Sequence, residues 1–164
     1  MTGYGEDTIR FACDAMLGAL ARWLRAAGYD CFWREGIDDA EIVELARKEN
    51  RILLTSDSGI FKRGVVFRRE VKALYIQRDM PRDEQVAHVL RVLDLPRRPP
   101  RCMTCGGELT PLDRESARSL VPPGTLKEHD KFFQCTRCGK VYWQGTHWQK
   151  IDNRLRRLGL TIEP

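Results

Sequence analysis

The sequence predicts an α/β protein: a parallel sheet flanked by helices, followed by a small metal-held module. Three observations carry this. Short apolar runs alternate with amphipathic segments of helical length over residues 9–95. A stretch that cannot continue a helix, Pro96-Arg-Arg-Pro-Pro-Arg101, then breaks the pattern. Beyond it, four cysteines stand as two C-x-x-C pairs.

The elements follow in order. Ile9 to Cys13 is an apolar strand. Met16, Leu17, Leu20, Trp23, Leu24 and Ala27 then fall on one helical face, with Arg22 and Arg25 opposite and Gly28 placed to stop the helix. Tyr29 to Trp33 reads as a second strand. The next helix runs from Asp38–Asp39 to Asn50 on Ile42, Val43, Leu45 and Ala46, with Asp38 and Glu41 at capping-box spacing. Arg51-Ile-Leu-Leu-Thr55 is compact and apolar, as in a strand covered on both faces. Residues 57–70 form an irregular connection, Val71 to Gln77 a fourth strand, and Pro81 to Leu95 a third helix. The organisation is an α/β domain over 1–95, a basic proline-rich linker over 96–101, and a metal-held module with a basic tail over 102–164.

Composition narrows the function. The 164 residues are 42% hydrophobic and 31% charged, the balance of a soluble globular chain. No apolar run nears the ~18 residues of a membrane helix. Met1 to Asp7 is polar and acidic, unlike a signal peptide, so cytoplasmic residence and no membrane partner are the expectation. Net charge is +5, unevenly spread. Residues 1–95 hold 15 Lys/Arg against 16 Asp/Glu, whereas residues 96–164 hold 13 against 7. The second half is therefore suited to a polyanion.

In an open parallel sheet, ligands bind where strands lead into helices. Asp14 follows the first strand, Asp38 and Asp39 the second, Asp57 the third and Asp79 the fourth. Each could be a helix cap or a favourable first-turn acid. As a set, carboxylates converging on one rim repel unless a cation compensates, and hard oxygen donors suit Mg²⁺ or Mn²⁺. Other phosphate-handling signatures are missing. There is no G-x-x-x-x-G-K-[ST] loop and no strand-linked G-x-G-x-x-G; position 16, where an Asp-nucleophile phosphatase needs a second acid, is Met16. Metal-assisted phosphodiester hydrolysis remains.

Cys102-Met-Thr-Cys105 and Cys135-Thr-Arg-Cys138 are two knuckles that close a tetrahedral site of four sulfurs, with zinc the expected structural ion and iron the chemical alternative. The 29 residues between them exceed a usual ribbon gap and require an insertion, with Asp113–Leu120 as its helix. Cys13 and Cys31 read as small buried hydrophobes. Around and beyond the second knuckle, Lys140, Trp143, His147, Trp148 and Lys150 interleave aromatics with cations, as single-strand RNA binders do. The competing reading of the two tryptophans is packing of a small ribbon. Arg22 either reaches substrate phosphate or lies on a solvated helix face.

The block Phe11-Ala-Cys-Asp-Ala-Met-Leu-Gly-Ala-Leu-Ala-Arg-Trp-Leu-Arg-Ala-Ala-Gly-Tyr-Asp30 resembles the Mut-seven C-terminal RNase family, as do Ile52–Asp57 and Tyr142–Trp148. The resemblance spans roughly residues 9–150. It implies a PIN-like nuclease fold with a C-terminal zinc ribbon and metal-dependent RNA cleavage, with Asp14, Asp39 and Asp57 as the matching acids. Ser56 stands where an Arg is common. Asp38 and Asp79 are further acids at the same rim, and Asp79 has no clear counterpart in the family. Two functions are thus expected in competition: a Mg²⁺/Mn²⁺-dependent endoribonuclease, or a non-catalytic adaptor binding RNA through its ribbon. A protein inhibitor or a second copy of the chain as partner leaves no mark in one sequence.

Overall fold

A computed structural model describes residues 9–162, so the reading of Met1 to Asp7 lies outside the described residues. Four strands, β1 (Phe11–Cys13), β2 (Cys31–Phe32), β3 (Ile52–Thr55) and β4 (Ala73–Tyr75), form a parallel sheet in the order β2-β1-β3-β4. Successive residues point to opposite faces and build two cores. Phe11, Cys13 and Leu54 enter one, with α1 (Gly18–Ala26) and, further along the chain, the helix Arg82–Val92. Ala12 and Leu53 enter the other, with α2 (Asp39–Lys48).

The expected first helix is in two parts. A 3₁₀ turn, Ala15–Leu17, precedes α1, because the Asp14 carboxylate takes the Met16 N–H and tightens the first turn. Gly28 ends the segment at φ +100°, where a Cβ would stand 2.4 Å from that of Arg98. Asp38 caps α2 by accepting the Glu41 N–H at 2.8 Å, while the Glu41 carboxylate turns to Arg34. The irregular connection resolves into a 3₁₀ turn, Ser58–Lys62, and a short α3 (Gly64–Phe67). Then α4 (Arg82–Val92) buries Val86, Ala87, Val89 and Leu90. Cys13 and Cys31 are fully buried with their sulfurs 3.4 Å apart.

The second sheet is antiparallel, β5 (Leu109–Leu112), β6 (Phe132–Cys135) and β7 (Val141–Trp143) in that order. The long gap between the knuckles holds α5 (Arg114–Ala117), capped by Asp113, and α6 (Pro123–Glu128). The basic tail is a helix, α7 (Thr146–Arg157), whose Ile151 and Leu155, with Leu160 beyond it, pack into the core of the first sheet.

Two cations lie where hydropathy does not place them. Arg25, expected opposite the apolar face of α1, is 4% exposed. Its guanidinium donates to the carbonyls of Cys31, Met103 and Thr104, so acceptors 78 and 79 residues away decide its position. Arg97, in the linker, has a buried side chain bonded to the Leu160 carbonyl at 3.1 Å and to Asp152 at 2.5 Å. Residues 96–101 are therefore clamped between α1 and α7, with Arg98 and Arg101 donating backbone N–H groups to Ala27 and Arg25. Asp30 adds a third tie. It faces Arg51 at 3.4 Å and Arg137 of the second knuckle at 3.2 Å. Burial alone would raise its carboxyl, but Arg51 and Arg137 hold it below the ordinary Asp range.

Candidate metal and nucleic-acid site

The strand order reverses between β1 and β3, and the acids gather at the carboxyl ends flanking that point. Asp14 leaves β1, Asp57 leaves β3 two residues after its end, and Asp39 opens α2. The side chains of Asp39 and Asp57 approach each other closely enough that each alters the other's ionisation. The carboxyl of Asp39 is raised, first by burial, then by the approach of Asp57 and by the charges of Asp57 and Asp14, with Arg63 opposing. Asp57 is lowered, first by the Gly59 N–H, then by the approach of Asp39 and the nearby Arg78 and Arg63. Of the pair, Asp39 therefore keeps its proton to the higher pH.

Asp14 is held differently. Only 3% exposed, it accepts Met16 N–H at 3.0 Å on one oxygen, and Thr55 Oγ1–H at 2.7 Å and Ser56 N–H at 2.8 Å on the other. Thr55 also accepts the Asp57 N–H at 3.0 Å, so one buried hydroxyl orients both strand-exit acids. The three carboxylates do not crowd to the density of a finished cage. Among the described residues, the set whose ligand atoms all lie within 4.8 Å of one another is the four cysteines. Asp38 is engaged as a cap, and Asp79 sits in an exposed turn beyond β4.

Sequence reasoning missed Thr55, Ser56, Arg63 and Arg78. The Thr-Ser-Asp run after an apolar strand was the available signal for the first two. Nothing local marks the arginines, which arrive from the 57–70 connection and the turn after β4. Thr55→Val is expected to cost about 1–3 kcal/mol in urea unfolding, because it removes one of the two donors to a buried Asp14 oxygen and leaves the Asp57 N–H without its acceptor.

The knuckles form as expected. Cys105 and Cys135 sulfurs are 3.4 Å apart, and those of Cys102 and Cys138 are 3.7 Å apart. Zn–S bonds of ~2.3 Å place tetrahedral corners roughly 3.8 Å apart, so the four fit zinc. Burial pushes the Cys105 thiol up to about 12, aided by the neighbouring cysteines, while Tyr142 and backbone N–H groups bring Cys102 down to about 6 against its burial. Gly107 allows the close approach: a Cβ there would stand 2.6 Å from the Cys135 sulfur.

The expected RNA-contacting set divides. Trp143 packs on the small ribbon core and Trp148 on the core of the first sheet, so the two indoles do not share one platform. Lys140, His147 and Lys150 are exposed, with Lys140 over the Tyr142 ring at 5.5 Å. Arg22 is exposed on α1.

Against known families, residues 9–155 match the model of the Mut7-C RNAse domain. The chain belongs to that family. Membership makes this Mut7-C domain nuclease-like, with RNA as its class of substrate. No curated relative and no solved structure matches the chain. Among the described residues of the Mut7-C chain, no helix is long and apolar enough to cross a membrane.

Proposed function

We propose that the chain is an endoribonuclease that cleaves single-stranded RNA with Mg²⁺ or Mn²⁺ held by Asp14, Asp39 and Asp57. The observation that carries this reading is the gathering of Asp39 and Asp57 beside Asp14, at the reversal of strand order, closely enough that Asp57 and Asp14 raise the Asp39 carboxyl. Carboxyl groups gathered so that one of them resists ionising are short of positive charge, and a divalent cation supplies it. The donors are all oxygens, which suits Mg²⁺ or Mn²⁺ over softer ions. When bound, such an ion activates the attacking water and stabilises charge on the leaving oxygen.

The chain's own groups do the positioning. Gly59 N–H fixes one oxygen of Asp57, and Thr55 with Ser56 fixes Asp14, so the carboxylates are aimed before substrate arrives. Arg63 and Arg78 sit close enough to lower Asp57, and the same charges would receive the scissile phosphate. Lys140, His147 and Lys150 extend a basic surface for the flanking strand, and zinc in the four-cysteine site is structural.

One observation favours the adaptor reading: three hydrogen bonds already occupy Asp14. Asp57→Asn separates the two. The nuclease reading expects cleavage of a single-stranded RNA in Mn²⁺ to fall about 10²–10³-fold with RNA affinity retained. Wild-type protein that binds RNA and cleaves none with any divalent ion supports the adaptor.

A further inference from the structure

A cleft of about 370 Å³ is lined by Met16, Trp33, Ser56, Arg78, Arg82 and Gln85 among others. Its wall reaches Asp14, because Met16 and Ser56 are residues whose N–H groups bind that carboxylate. Resting on the nuclease reading, we propose that this cleft receives one unstacked nucleotide of the RNA next to the scissile phosphate. The base would lie against Trp33 and Met16, and its phosphate against Arg78 and Arg82.

The walls are rigid and chemically mixed. Trp33 donates its indole N–H to the Ala15 carbonyl at 3.1 Å and lies against Gly18, where a Cβ would come within 2.8 Å of the ring. Any larger residue at 18 would displace the indole. Met16 is 64% exposed, an apolar side chain with no burial to explain it. Arg78 is steadied by donating to the Ser56 carbonyl at 3.2 Å, and Gln85 steadies the floor by donating to Met80. Among the described residues, neither Arg78 nor Arg82 is paired with a carboxylate, unlike Arg34, Arg47, Arg51, Arg68 and Arg97. Arg82 occupies the first turn of α4, where a cation opposes the helix dipole, so helix stability does not account for it. An aromatic wall, a soft apolar side chain and two unpaired guanidinium groups match a base and its phosphate.

The volume sits near the lower end of small-ligand clefts, ~300–1,000 Å³. It has room for a base only after that base leaves its stack. Single-stranded RNA is therefore selected over duplex at this position.

The test uses the whole 164-residue chain, zinc-loaded, with Arg82→Gln and Trp33→Leu, each checked for folding by circular dichroism. Affinity for a fluorescent single-stranded octamer is read by anisotropy in an Asp39→Asn background, and KM and kcat for cleavage in the wild-type background. Each variant should weaken single-strand binding about 5- to 10-fold and raise KM similarly, with kcat within about twofold and duplex affinity unchanged. Arg82→Lys should recover part of the loss. Unchanged affinity and KM alongside intact cleavage would overturn the cleft and leave the nuclease reading standing. Equal losses for duplex and single strand would also overturn it. Weakened single-strand binding in a protein that cleaves nothing would sustain the cleft and defeat the nuclease reading.

Discussion

Asp39→Asn should cut metal-dependent cleavage steeply without lowering stability, whereas Asp14→Asn should lower both. The contrast follows from what each carboxyl touches. Asp39 is raised by burial and by its carboxylate neighbours, so the folded chain holds that proton more tightly than the unfolded chain does. Its ionisation therefore costs stability, progressively, as pH rises from the unfolded value near 3.8 through the raised folded one, and the cost persists above it. An amide at 39 cannot ionise and can still donate to Asp57. Urea melts at neutral pH should show stability unchanged or raised, within about 0.5 kcal/mol, with cleavage down about 10²–10³-fold. Asp57 runs the other way: its lowered carboxyl adds stability above the unfolded value, lost as pH falls through the folded one.

Asp14→Asn has no such relief. Three donors converge on its two oxygens, and an amide offers one oxygen and one NH₂. At least one buried N–H or O–H then faces another donor, at a cost of about 1–3 kcal/mol. The raised Asp39 carboxyl also sets a pH dependence: its proton must leave before a cation can take both carboxylates. Cleavage should decline as pH falls through the raised Asp39 titration, at a higher pH than an isolated carboxyl would give. Stability that falls in Asp39→Asn as much as in Asp14→Asn would show Asp39 to be a structural ligand of the fold rather than a strained member of a cation site.

The parallel sheet was legible because its signals are local. Leu20 and Leu24 repeat at helical spacing, Ile52 to Leu54 form a run too apolar for a solvated face, and Asp38 stands where a cap belongs. Parallel topology then carried Asp14, Asp39 and Asp57 to one rim with no knowledge of contacts. What sequence left hidden depends on partners distant in the chain. Arg25 reads as solvated from its own helix, yet carbonyls at 103 and 104 bury it. Trp148 follows the ribbon in sequence but packs with Leu155 and Leu160 on the other core, because α7 folds back across the linker. Arg78 carries no motif, and its relation to Ser56 and Asp57 exists only once β3 and β4 pair.

Removing zinc should unfold the ribbon and spare α7, although α7 lies C-terminal to every knuckle. Small four-cysteine modules draw much of their folding free energy from the metal, so a chelator leaves the three-stranded sheet and the Ala117–Val121–Phe132 cluster without sufficient support. The anchors of α7 are elsewhere. Ile151, Leu155 and Leu160 are in the core of the first sheet, Asp152 pairs with buried Arg97, and Arg154 pairs with Asp83 of α4. In amide spectra, dispersion should therefore vanish over residues 102–143 and persist over 146–160. The first domain should weaken as well, because Arg25 loses the Met103 and Thr104 carbonyls and Asp30 loses Arg137. Hydrogen bonds to a charged group each contribute about 1.5–3 kcal/mol, part of which water restores as the face opens. Cys105→Ser should reproduce the chelated spectrum with no chelator present. Loss of the α7 signals together with those of the ribbon would show that the metal, not the Leu155 and Arg97 contacts, holds the C-terminal helix in place.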